Sequence, residues 1–264
     1  MAKVSEILSF VETLAPASMA ESWDNNGLLC GRMEQEAKTI LVALDPFAGV
    51  IAEAIDEQAD LILTHHPIIF DEPLKALNDE TEIGRNLLNL SQHRIAAINA
   101  HTSLDQAPGG VNDCLAEKLG LGSVRVINPQ GVDGQGRQWG LLRQGVVPEQ
   151  PLSQFLAAVK TALGCPGLRY VSGGKSVCKV AVGGGACASE MLAAVNAGCD
   201  TFVTSDVKYN GFWDAHDLGL NLIDAGHFYT ENPVVSYLAA KVAEAFPAVR
   251  VLVSKTHGDV MRFF

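Results

Sequence analysis

Residues 39–70 align without a gap against residues 179–210, and this internal repeat constrains the fold more than any other feature of the chain. The first copy reads Thr39-Ile-Leu-Val-Ala-Leu-Asp45, a helical stretch, then Asp60-Leu-Ile-Leu-Thr64 followed by His65 and His66. The second reads Lys179-Val-Ala-Val-Gly-Gly-Gly185, a helical stretch, then Asp200-Thr-Phe-Val-Thr204 followed by Ser205 and Asp206. Identities are few (Val42/Val182, Ala48/Ala188, Ala54/Ala194, Asp60/Asp200, Thr64/Thr204), but the apolar pattern matches better than the identities do. Each copy predicts a strand, an amphipathic helix and a second strand. The crossover is long enough to make the two strands parallel.

The correspondence extends further, with offsets that shift at loops. Val4 to Thr13 and Leu152 to Thr161 both predict amphipathic helices. Ile95 to His101 and Leu220 to His227 both predict a buried strand running into a polar loop. Helices follow at 111–119 and 233–245, then final strands at 123–127 and 249–254. The expected fold is therefore α/β, as two tandem related units spanning 1–127 and 128–264. The joint is placed at Asn128 to Gln138, where Gly, Pro and polar residues cluster.

Composition narrows the partners. With 19 Lys and Arg against 30 Asp and Glu, the formal net charge is −11, which argues against nucleic acid as a main partner. It leaves open an anionic substrate held by metal ions. No apolar run reaches the roughly 18–20 residues of a membrane span. Met1 to Glu6 hold no apolar stretch ending in a cleavage site, so a cytoplasmic protein with no membrane partner is expected. The six cysteines, at 30, 114, 165, 178, 187 and 199, form no CxxC pair and read as small core residues of a reducing compartment.

Three strand ends carry chemistry. His65 and His66 leave the strand Leu61 to Thr64 at its C-terminal end, where open α/β sheets place ligands. His101 and Asp105 form an HxxxD after a buried strand, and His227 and Glu231 form an HxxxE after the corresponding strand of the second half. Imidazole and carboxylate suit zinc, iron(II), manganese or nickel. Several His with two carboxylates can hold two divalent ions bridged by a carboxylate. Taken singly, each pattern also fits polar residues at a strand exit. His93, His216 and His257 lie in polar surroundings and read as solvated. Gly183 to Gly185 reads as a tight strand-to-helix turn, since it has neither GxGxxG spacing nor the Lys of a P-loop. Trp23-Asp-Asn-Asn-Gly27 reads as a polar turn in which Asp24 or Asn25 could line a cleft.

In order along the chain, several segments resemble the NIF-three-like dinuclear metal-centre proteins, known as GTP cyclohydrolase 1 type 2 homologs. They are Glu21-Ser-Trp-Asp-Asn-Asn-Gly27, Leu63-Thr-His-His-Pro67, Asn99 to Asp105 with Gly109-Gly-Val-Asn112, Thr204-Ser-Asp206, and Asp224-Ala-Gly-His-Phe-Tyr-Thr-Glu231. The resemblance implies the NIF-three-like fold with a metal site in the cleft between its units. It implies two metal ions with ligands His65, His66, Asp105, His227 and Glu231, and places His101 near the metals; an imidazole there could shuttle protons as the catalytic acid–base group. It also implies toroidal homohexamers with the metal sites facing an inner cavity. One departure is Ser205, where the family usually shows Gly between Thr and Asp. Longer members carry an inserted domain between the halves, for which this chain has no room.

No motif reads as a guanine pocket. The expected activity is therefore metal-dependent hydrolysis of an unspecified small-molecule substrate, with ring-opening of a nucleotide as one form. The alternative is a metal-bearing scaffold or regulatory protein without turnover, and a third reading is a metal-handling or redox role.

Overall fold

Runs such as Thr39-Ile-Leu-Val-Ala43 and Leu61-Ile-Leu-Thr64 are apolar at nearly every position, as strands covered on both faces must be. In the computed structural model, which describes residues 1–70 and 74–264, both are central parallel strands. The chain divides into two compact units.

The first unit comprises Met1–Leu104 and Val235–Gly258. Its sheet runs Arg250–Val253, Thr39–Ala43, Leu61–Thr64, Ala96–Asn99, Gly27–Cys30. The first four strands are parallel and the last is an antiparallel edge. Helix Ala48–Asp56 contributes Val50, Ile51 and Ala54 to the core, and helix Glu82–Gln92 contributes Leu87 and Leu90, packed with Leu41, Ile62 and Ala97. Burying each of the large aliphatic side chains contributes roughly 1.5–3 kcal/mol. The second of these helices starts at Thr81, whose hydroxyl accepts from Gly84 N at 3.1 Å and satisfies one of the open amides of the first turn.

The second unit comprises Asp105–Val234 and Asp259–Phe264. Its sheet runs Arg169–Val171, Asn221–Asp224, Thr201–Thr204, Val177–Val182, Leu142–Gln150, Gly122–Ile127. The second, third and fourth of these are parallel, and the other pairings are antiparallel.

Corresponding strands of the repeat occupy corresponding places. Strands 39–43, 61–64 and 96–99 lie side by side in one sheet, and strands 177–182, 201–204 and 221–224 lie in the same order in the other. Beyond the third strand each sheet has an antiparallel edge, Gly27–Cys30 or Arg169–Val171. The repeated Asp60 and Asp200 do the same work: Asp60 accepts from Lys38 N at 2.7 Å and Thr39 N at 3.0 Å, and Asp200 from Cys178 N at 3.0 Å and Lys179 N at 2.7 Å. Each carboxylate thus holds the start of the first strand against the start of the second.

Three features differ from the sequence reading. The closing strand of each half joins the unit built by the other half, Arg250–Val253 beside Thr39–Ala43 and Gly122–Ile127 beside Leu142–Gln150. Within the stretch expected as a joint, Gly131–Val132 pairs with Gln138–Trp139 as a small hairpin of the second unit. Cys165, Cys187 and Cys199 are buried as expected, but Cys178 is exposed. Among the described residues, no helix is long and apolar enough to cross a membrane.

The strand Arg250–Val253 ends in a turn clamped by Glu53. Its carboxylate accepts from Ser254 Oγ at 2.5 Å, Lys255 N at 2.8 Å, Thr256 Oγ1 at 2.7 Å and Thr256 N at 3.1 Å. Burial opposes the charge, but these hydrogen bonds outweigh it and bring the Glu53 pKa down to about 2. A depressed folded-state pKa contributes stability that is complete above the ordinary Glu value near 4.5 and is lost as pH falls through about 2. Glu53→Gln is expected to cost roughly 1–2 kcal/mol at pH 7, and to flatten the acid limb of stability between pH 4.5 and 2. Urea unfolding as a function of pH measures both.

Candidate metal centre

The first unit gathers three imidazoles. His65 and His66 follow the strand Leu61–Thr64, and His101 follows Ala96–Asn99, the next parallel strand. Adjacent parallel strands end on the same edge of the sheet, so the three residues meet there. Their ligating atoms lie within 4.8 Å of one another. His65 is fully buried and His101 nearly so.

Each ring is held by its Nδ1. His65 Nδ1 lies 3.0 Å from Ala100 O, His66 Nδ1 lies 2.6 Å from Asp45 Oδ1, and His101 Nδ1 lies 2.7 Å from Asp24 Oδ1. A carbonyl or carboxylate oxygen only accepts, so Nδ1 carries the hydrogen in all three. In the neutral ring the lone pair then sits on Nε2, the atom a metal binds. Asp24 is itself fixed: it accepts from Asn25 N at 2.8 Å, Asn26 Nδ2 at 2.9 Å, Thr102 N at 2.9 Å and Thr102 Oγ1 at 2.5 Å. Burial raises the Asp24 pKa, but the His101 and Thr102 hydrogen bonds carry it well below the usual carboxylate range. Asp45 behaves alike, with burial opposed by hydrogen bonds from His257 and His66.

The second unit supplies carboxylates and a fourth imidazole. His227 opens the helix His227–Glu231, one turn before Glu231, so both side chains share a face. His227 Nδ1 lies 2.6 Å from Asp206 Oδ2, and its Nε2 lies 2.9 Å from Glu231 Oε2. Burial disfavours the charged ring, yet the hydrogen bonds to Asp206 and Glu231 prevail and push its pKa up to about 11. A ring poised between two carboxylates thus occupies a place suited to a cation. Asp105 is buried in the helix Thr102–Gln106. The chain around it is pinned by Asn112, whose Nδ2 donates to Asp105 O at 3.1 Å. Buried Arg143 donates to Gln106 O at 3.2 Å and Ala107 O at 3.1 Å and is neutralised by Asp113, 2.8 Å from its Nε.

Gly185 explains the glycine run. Its φ is +64°, and a Cβ there would run into the Glu231 carboxylate and lie 3.2 Å from His227 Nε2. Gly184 N donates to Asn112 Oδ1 at 2.7 Å and Gly185 N to Thr230 Oγ1 at 3.0 Å, so the tight turn expected from sequence also seats the helix carrying Glu231.

Of the six residues singled out from sequence, His65, His66 and His101 stand just past strand ends, with His101 among the other two, whereas Asp105, His227 and Glu231 lie in the short helices Thr102–Gln106 and His227–Glu231 that follow strands. Sequence reading missed Asp45, Asp206, Gly185 and Arg143 as parts of the site, and left Asp24 undecided. His257, expected to be solvated, has a side chain only 5% exposed, with Nε2 3.3 Å from Asp45 Oδ2. The available signal was position: Asp45 and Asp206 each follow a central parallel strand by two residues.

Fold and donors together define an α/β protein with His and carboxylate groups that could hold a metal ion. The chain belongs to the Duf34/NIF3 (NGG1p interacting factor 3) family, whose model matches residues 2–259. It is 35% identical to a GTP cyclohydrolase 1 type 2 homolog of Clostridium perfringens, over 99% of each chain. It is 32% identical to a GTP cyclohydrolase 1 type 2 of Helicobacter pylori, over 93% of each. The crystal structure of a Bacillus cereus protein related to NIF3 superposes with a TM-score of 0.94 at 26% identity, covering 100% of this chain and 99% of that one.

Gly185→Ala is expected to destabilise the protein by roughly 1–3 kcal/mol, from left-handed backbone strain and overpacking. It is also expected to displace Glu231, so that metal retention falls with it. Unfolding midpoints and metal analysis of the same preparation check the two effects.

Proposed function

We propose that this protein is a hydrolase working with two divalent ions held by His65, His66, Asp105, His227 and Glu231, with His101 carrying protons. One observation supports this most: every candidate imidazole is tied at Nδ1 to an oxygen acceptor, three of the four to a carboxylate. That is the arrangement that orients a metal-binding imidazole and raises its basicity. The chemistry of the donor sets is complementary. Three imidazoles leave the charge of a divalent ion uncompensated, whereas Asp105 and Glu231 supply negative charge and oxygens able to bridge two ions.

When bound, such a pair lowers the pKa of water and polarises the bond to be cut. The chain's own part is to hold the donors rigid and to handle protons. His101 hands Nδ1–H to Asp24, which steadies the ring when Nε2 gains a proton. The names of the relatives support ring-opening of a nucleotide as one form of the reaction. The resemblance supports toroidal homohexamers. A metal-bearing scaffold without turnover is the second reading, favoured by the exposed Tyr209 and Trp213 on the helix Tyr209–Asp217.

Metal analysis after reconstitution is expected to approach about two ions per chain, and saturation at one would overturn the pair. Glu231→Ala is expected to lose metal and turnover together. His101→Ala is expected to keep the metals and slow turnover by roughly 10²–10⁴-fold, the range of a lost acid–base group. Loss of metal from that variant would make His101 a ligand. The screen should span phosphoesters, peptides and nucleotides. Failure of the loaded protein to turn over any of them, with a partner protein still bound, would favour the scaffold.

A further inference from the structure

Asp45 joins two imidazoles from distant parts of the chain. Its Oδ1 accepts from His66 Nδ1 at 2.6 Å, and its Oδ2 accepts from His257 Nε2 at 3.3 Å. His257 arrives by a defined route. Strand Arg250–Val253 runs parallel to Thr39–Ala43 with Val253 opposite Val42, and Ser254 N then donates to Val42 O at 2.9 Å. The chain turns around Glu53, and Ser254 Oγ, held by Glu53, accepts from His257 N at 3.2 Å. The clamp and the imidazole are therefore one construction, and it delivers a nearly buried ring to the side of Asp45 away from His66.

A carboxylate with a partner on one oxygen can still swing about its Cβ–Cγ bond. A second hydrogen bond on the other oxygen blocks that rotation. The Glu53 clamp already anchors the turn, so anchoring alone does not call for an imidazole pointing inward at Asp45.

We propose that His257 is a positioning residue for His66: it donates Nε2–H to Asp45, fixes the rotation of that carboxylate, and so aims His66 Nε2 at a divalent cation. The proposal rests on the reading of His66 as a metal ligand.

The test titrates cobalt(II) into the metal-free full-length protein, reading affinity by chelator competition and coordination by the visible absorption bands. His66→Ala is expected to abolish the signal of the site it serves. If it binds cobalt as the wild type does, His66 is no ligand and the underlying reading falls. His257→Phe keeps a buried ring and removes the donor. It is expected to weaken cobalt binding about 10–100-fold, the usual effect of losing a group that orients a ligand, and to shift the bands. His257→Gln, whose amide can donate to Asp45, is expected to recover most of the affinity. Two results would overturn the positioning role while leaving His66 a ligand. One is wild-type affinity and spectrum in His257→Phe. The other is equal loss in His257→Phe, His257→Gln and Glu53→Gln, which loosens the turn but keeps the imidazole. Thermal midpoints of the metal-free variants identify any loss that comes from unfolding.

Discussion

The hydrogen bond at Nδ1 of each candidate imidazole is the interaction on which the surrounding structure depends, because a ring held at one nitrogen has the other aimed. His66, His101 and His227 each give Nδ1–H to a carboxylate, and His65 gives it to a backbone carbonyl. Those acceptors need holding in turn. Asp24 draws on Asn25, Asn26 and Thr102, and Asp45 draws on His257. Each outward layer reaches further along the chain. The orientation of these rings thus depends on residues from well-separated stretches of the chain, from Asp24 to His257.

The repeat supplies the frame on which this becomes possible. Parallel strands side by side end on one edge, so any side chain placed just past a strand end meets its neighbours. Asp60 and Asp200 align the strand starts in the same way, and Thr64 and Thr204 sit at equivalent strand ends. The two units then diverge in what they place there. One edge carries three imidazoles, whereas the other carries His227 and Glu231 with Gly185 making room for the carboxylate. Matching strand order gives similar scaffolds, and different residues past the strands give unlike chemistry.

The elements legible in the sequence were those with a regular apolar pattern. The central parallel strands read as unbroken apolar runs, and helices such as Val4–Leu14 and Leu152–Leu163 read by their spacing. Strand Leu142–Gln150 did not, because its polar Arg143 and Gln144 point into the protein. Arg143 is held there by Asp113 and four backbone carbonyls, partners that no local pattern announces. The same holds for His257, polar in its sequence neighbourhood and enclosed in the fold.

By itself, the sequence determined the paired α/β pattern and marked His65, His66, His101, Asp105, His227 and Glu231 as candidate site residues following strands. These follow from local spacing, which the chain carries without folding. Tertiary structure alone decided which acceptor each imidazole would use, which unit each closing strand would join, that Glu53 would clamp the turn after Arg250–Val253, and that His257 would reach Asp45 in the loop after Thr39–Ala43. Those depend on hydrogen bonds between residues far apart in the chain. Their partners are chosen by the packing of sheets and helices, not by the order of residues along the backbone.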